Sequence, residues 1–234
     1  MNIDYADQAG SPFAVSADTE IQFCLAAVDN NGTPLAEPGI NRVTTYGQGP
    51  FSDTQFESSM KAATQWDPNK YFNVWVANLS GGLLGYAQFP NNSGLGGMNT
   101  NNGAANTDGC VIIYTSLGSV ANPTAGGGAY NKGRTLTHEA GHWLGLRHIW
   151  GDGGCGASDF CNDTPDSDGS NFGCPNTTSC SSVDMVENYM DYSTEACQNI
   201  FTKRQVSMMR KSITEYRVDL PIKVDIVTKM RIFD

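Results

Sequence analysis

All three histidines of this 234-residue chain fall inside one short stretch, His138-Glu139-Ala140-Gly141-His142-Trp143-Leu144-Gly145-Leu146-Arg147-His148. Residues four apart on an α-helix differ by about 400° of rotation and one turn of rise, so His138 and His142 share a face and can reach one ion. If the helix continued, His148 would lie about 9 Å further along the axis. Metal–nitrogen bonds of about 2.0–2.1 Å do not bridge that gap. The chain must therefore turn back after His142, and Gly145 can take the left-handed backbone that the reversal needs.

Three neutral imidazoles suit zinc and leave its fourth position open for water, the arrangement of a catalytic rather than a closed structural site. Glu139 lies about 100° round the helix from His138, where a carboxylate can act as general base. The bland alternative is three unrelated histidines on a packed helix. It is weak, because the three share the one spacing that chelates. Two other functions compete: a zinc-bearing binding module without catalysis, and a calcium-stabilised interaction domain with structural zinc. The first leaves Glu139 unexplained, and the second conflicts with the open fourth position.

A formal net charge of -10 leaves no basic field for a phosphate backbone or an anionic membrane surface. Neither nucleic acid nor a membrane is an expected partner. Residues 1–10 are polar and acidic and carry no secretory leader, so the chain reads as a trimmed mature form. No apolar run approaches the ~18 residues of a membrane span. Of seven cysteines, Cys155, Cys161, Cys174, Cys180 and Cys197 lie in one segment rich in Gly, Asp, Asn and Ser. That composition cannot fold by burial, so disulfides and an oxidising, extracellular compartment are expected. A structural zinc site is the rival reading, but paired C-x-x-C units are missing.

Glu20 to Val28, Tyr71 to Leu79, Leu83 to Phe89 and Cys110 to Thr115 read as strands. Phe51 to Trp66 reads as an amphipathic helix, with Phe56, Met60, Ala63 and Trp66 on its apolar face and Ser52 or Asp53 as N-cap. A loop from Asn91 to Gly109 has no periodicity. The histidine helix should end near Gly145, and a last helix should run from about Thr202 to Tyr216. This order predicts an α/β sheet lobe with a packed helix, followed by loop-rich chain.

The long histidine motif resembles that of the metzincin metallopeptidases, which follow it with a Met-turn. Within them the chain is similar to the pappalysin family. The residues that carry this are Tyr130-Asn131-Lys132-Gly133-Arg134-Thr135, His148-Ile149-Trp150-Gly151-Asp152, Asp163-Thr164-Pro165, Gly173-Cys174-Pro175 and Asn188-Tyr189-Met190-Asp191-Tyr192-Ser193. The resemblance implies one metallopeptidase catalytic domain over residues 1–234. Its upper lobe, to about residue 145, would hold a twisted five-stranded mixed sheet, a backing helix and the active-site helix. Its lower lobe, from about 146, would be irregular, disulfide-stapled and closed by a C-terminal helix. A fifth strand is placed near Arg42 to Tyr46.

The resemblance further implies a secreted zinc endopeptidase, expected as a monomer, that binds a protein or peptide along the cleft against the edge strand around Leu84 to Phe89. Met190 would form an apolar floor under the zinc, and Tyr192 would stabilise the oxyanion. The pairs Cys155–Cys180 and Cys174–Cys197 are implied by the same resemblance. So is a structural calcium ion at Asp159 and the Thr164 carbonyl, in a segment crowded with Asp152, Asp163, Asp166 and Asp168; EF-hand spacing is missing, and an exposed acidic loop without an ion is the alternative. Cys24 and Cys110 are either buried thiols or a third pair, and Cys161 is the odd thiol.

Overall fold

A computed structural model describes residues 1–90, 104–217 and 220, and the backbone of 223–225 and 229–231. Its central sheet has the order β2-β4-β3, with β2 at Val74–Ala77, β3 at Gly85–Ala87 and β4 at Cys110–Ile113. β2 runs parallel to β4 in the register Val74↔Cys110 to Ala77↔Ile113, and β3 runs antiparallel to β4. The sheet is thus mixed, and among the described residues β3 is an edge strand. β4 is buried at Cys110, Val111 and Ile112, as a central strand covered on both faces should be.

The expected strand at Arg42–Tyr46 does not form. The segment has β-branched residues but no ladder partner among the described residues, Val43 is exposed, and Arg42 turns outward to Glu37 at 2.7 Å. The chain reaches the sheet later, where Phe51 bridges Leu79 in parallel. Of the strand expected from Glu20 to Val28, only β1 (Ile21–Gln22) is regular. It stops there because the Asn2 side-chain amide takes both backbone groups of Phe23, donating to its carbonyl at 2.8 Å and accepting from its N–H at 2.9 Å. The backbone of β1 pairs in parallel with β8 (Lys229–Arg231), which pairs with β7 (Lys223–Asp225). Residues 91–103 of the expected loop lie outside the described residues.

The backing helix covers 53–64. Ser52 caps it in a reciprocal capping box with Gln55. Its middle, Phe56–Met60, is a π-turn that adds a residue to the helical repeat. Phe56 and Met60 are buried against the sheet as expected, but the extra residue rotates the last turn of the helix. Lys61 is then buried and Ala63 exposed, the reverse of a regular helix. Lys61 pairs with Glu57 at 2.5 Å, and Thr64 accepts from the Trp75 indole at 2.8 Å. Phe56, Met60, Leu79 and Val111 form the small core between helix and sheet.

The larger core gathers around the histidine helix, Arg134–Trp143. Trp143, Leu144 and Leu146 share this core with Tyr5, Phe72, Tyr189, Met190, Phe201, Met209 and Ile213. The last helix, Lys203–Tyr216, is amphipathic and capped by Thr202 in a second capping box with Gln205. Beyond its end, buried Arg217 donates to both Asp108 oxygens at 2.7 and 3.0 Å and to the Trp143 carbonyl at 3.0 Å. Cys155 is bonded to Cys180 and Cys174 to Cys197, while Cys24, Cys110 and Cys161 are free thiols. No helix among the described residues is long and apolar enough to cross a membrane.

Candidate metal centre

The histidine helix lacks a capping side chain of its own, because Gly133 at φ 85° occupies its N-cap. Buried Glu195 supplies the acceptors instead, taking the N–H of Thr135 at 2.8 Å, the Thr135 hydroxyl at 3.2 Å and the N–H of Lys132. A carboxylate at a helix N-terminus also complements the macrodipole. At the other end Gly145, at φ 96°, reverses the chain, with Gly145 N–H on the His142 carbonyl and Leu146 N–H on the Gly141 carbonyl. This reversal brings His148 back over the helix.

The His142 Nε2 lies 3.1 Å from the Nε2 of His138 and 3.1 Å from that of His148. Each remaining nitrogen faces an oxygen: His138 Nδ1 the Tyr189 carbonyl at 2.7 Å, His142 Nδ1 the Leu146 carbonyl at 2.7 Å, and His148 Nδ1 the Asp152 carboxylate at 2.5 Å. Those acceptors require the proton on Nδ1, so the three Nε2 atoms face one another as bare lone pairs. Such a contact is repulsive unless a cation fills it. Bonds of ~2.05 Å in a tetrahedron separate ligands by roughly 3.3 Å, close to the spacing observed. The donor set therefore fits zinc, and among the described residues it is the only group of three or more His, Cys, Asp or Glu that converges on a point.

Burial holds the His138 imidazole well below its ordinary pKa, and the neighbouring imidazoles add to this. Burial, with His148 beside it, brings His142 to about 3. Both are thus neutral, the form that a metal ligand requires. Glu139 is buried at 7% exposure, and burial lifts its carboxyl to about 8. It lies against the edge strand. A Cβ added to Gly85 of β3 would stand 3.1 Å from the Glu139 Cγ and 2.8 Å from the Val111 carbonyl.

Met190 is fully buried under the helix, and its Sδ lies where a Cβ on Gly141 would come within 2.5 Å. The Tyr192 ring lies 5.7 Å from that of His138 and 4.9 Å from that of His148, and Tyr130 donates to its carbonyl at 3.0 Å. Burial, with the charges of Glu139, Asp152 and Asp191, pushes the Tyr192 phenol up to about 12, so it remains an O–H donor. The Phe89 ring meets that of His142 edge-on at 5.3 Å.

The aspartates of the cysteine-rich segment do not form one cluster. Asp152 is held by His148, while Asp163 accepts from the Thr202 hydroxyl at 2.7 Å and the Arg204 N–H at 2.9 Å. Asp159 and Thr164 do meet, through the Thr164 hydroxyl at 2.7 Å, and burial pushes the Asp159 carboxyl up to about 6. Sequence reasoning missed Gly85, Gly141 and Glu195, and it took Asp152 for a member of the acidic cluster. Only the four-residue step from His148 to Asp152 could have signalled the last.

A family model described as pregnancy-associated plasma protein-A, peptidase family M43, matches residues 55–214. An extracellular metalloprotease of Podospora anserina is 38% identical over 168 residues, 69% of this chain and 53% of its own length. An extracellular metalloprotease of Arthroderma otae is 32% identical over 208 residues, 86% and 72% of the two chains. The chain thus spans about half the length of some relatives and more of others. Mature mirolysin of Tannerella forsythia, solved with a cleaved peptide, matches with a TM-score of 0.80 and 39% identity, over 97% of this chain and 87% of that one. The matched region takes in most of the backing helix, the histidine motif and Met190, and the chain belongs to the pappalysin family of metzincin metallopeptidases.

Proposed function

We propose that this chain is a secreted zinc-dependent endopeptidase with His138, His142 and His148 as ligands and Glu139 as general base. The observation that carries this is the convergence of three Nε2 lone pairs, with that of His142 3.1 Å from each of the other two, beside a buried carboxylate that lies against a sheet edge with no partner among the described residues. When bound, zinc supplies Lewis acidity, lowering the pKa of a water and of the adjacent Glu139 carboxyl and polarising the scissile carbonyl. Glu139 takes the proton of the attacking water and returns it to the leaving amine. The phenol of Tyr192 donates to the oxyanion. Met190 keeps the floor apolar.

A protein or peptide substrate adds as a strand to β3, whose outer side has no ladder partner among the described residues. That places its scissile bond next to Glu139, which Gly85 allows to lie against the strand. Residues 1–145 and 146–234 act as upper and lower lobes of one catalytic unit. Secretion fits the two disulfides and the relatives named as extracellular enzymes.

Wild type and Glu139→Ala are compared for zinc content and for cleavage of an unfolded protein. The variant should keep its zinc while cleavage falls by ~10²–10⁴-fold. His142→Ala should lose metal and activity together. A wild type that binds zinc one-to-one and cleaves nothing, or a Glu139→Ala variant with normal turnover, would overturn the reading.

Calcium belongs to the same proposal, at Asp159 and the Thr164 carbonyl. Its support is the buried Asp159 carboxylate, for which a cation would offset the cost of ionisation. An ion that binds only the folded state at 100 times its Kd adds about 2.7 kcal/mol. Thermal unfolding with calcium should therefore occur at a higher midpoint than with a calcium-selective chelator. Equal midpoints at constant zinc would remove calcium.

A further inference from the structure

His138 and His142 are held by a helix, whereas His148 lies beyond the helix end and stands on loop backbone. Its Nδ1 partner also differs. The other two rings point at buried backbone carbonyls, while His148 points at the carboxylate of Asp152, four residues on. Asp152 reaches back because Gly151 and Asp152 both take left-handed backbone, φ 60° and 61°, with Gly151 N–H on the His148 carbonyl at 2.9 Å. A side chain in that conformation is uncommon, and Asp tolerates it better than most.

Trp150 completes the arrangement. Its ring stacks on that of His148 at 4.3 Å and 4° between planes, and Tyr192 meets the other rings edge-on. Resting on the zinc reading above, we propose that Asp152 and Trp150 are positioning residues for the loop-borne ligand. Asp152 fixes the Nδ1–H tautomer of His148 and makes its Nε2 a stronger donor, while Trp150 sets the plane of the ring. The left-handed turn at 151–152 serves to deliver that carboxylate, and both residues act through His148.

The test is zinc affinity and zinc release, measured on the folded protein by competition with a chromophoric chelator, for wild type, Asp152→Asn, Asp152→Gly and Trp150→Leu. Asn and Gly both accept left-handed backbone, so neither variant breaks the turn. Asp152→Asn keeps an oxygen acceptor and loses the charge; Asp152→Gly loses both. Loss of such a partner typically weakens metal binding 10–100-fold. The asparagine variant should fall near the lower figure and the glycine variant near the upper, with faster release in both.

Trp150→Leu should speed release with a smaller loss of affinity. Cobalt loaded in place of zinc should show a shifted visible band in Asp152→Gly, the mark of a reoriented ligand, at an unchanged unfolding midpoint of the metal-free protein. Wild-type affinity and release in Asp152→Gly would overturn this proposal while leaving the metal site standing. A wild type that takes up no zinc would overturn both.

Discussion

At the scale of single residues, the histidine spacing could reveal candidate ligands because helical geometry is local, but it could not reveal what their rings lean on. The acceptors for His138 and His142 are carbonyls, which every residue carries and no sequence pattern marks. Gly141 is a similar case. Inside a helix a glycine reads as a weak point, yet here its missing side chain makes room for the Met190 sulfur. Gly141→Ala improves helix propensity but puts a methyl 2.5 Å from that sulfur, so overpacking wins. We expect a net loss of about 1–3 kcal/mol in urea unfolding, together with weaker zinc retention. A variant as stable as wild type would mean that Met190 moves aside freely.

At the scale of elements, termini were more legible than interiors. Both capping boxes obey simple rules, Ser52 with Gln55 and Thr202 with Gln205, and the last helix starts where its cap does. Thr202 also donates to Asp163, tying the helix to the cysteine-rich segment. Thr202→Ala should therefore cost about 1–2 kcal/mol, toward the upper end of a cap deletion, in equilibrium unfolding. A loss below about 0.5 kcal/mol would show that the remaining contact from the Arg204 N–H holds Asp163 alone. The helix interior at 56–60 was illegible, since apolar spacing near 3.6 does not announce a π-turn that swaps Ala63 for Lys61 on the buried face. The strand expected at 42–46 failed for the opposite reason. Its β-branched residues satisfy local preference, but a strand exists only where a neighbour accepts its hydrogen bonds.

At the scale of the molecule, two disulfides close loops with sequence separations of 25 and 23 in a segment of little apolar content. In the chain-entropy account each contributes about 3.5 kcal/mol. Reduction should lower the unfolding midpoint steeply and release the segment that holds Asp191 and Tyr192. Peptide mapping of the unreduced protein should join Cys155 to Cys180 and Cys174 to Cys197, and a pairing through Cys161 would contradict the structure. The sequence by itself determined the chelating spacing of the histidines, the reversal at Gly145, the start of the last helix near Thr202 and an acidic chain stapled by cysteines, because each rests on spacing or composition within a few residues. Tertiary structure alone decided that Glu195 caps the histidine helix, that Tyr189 orients His138, that Asn2 ends β1 and that Gly85 lies against Glu139. Those contacts join residues about 20 to 60 positions apart, and their partners are defined only once the core around Trp143 and Met190 has closed.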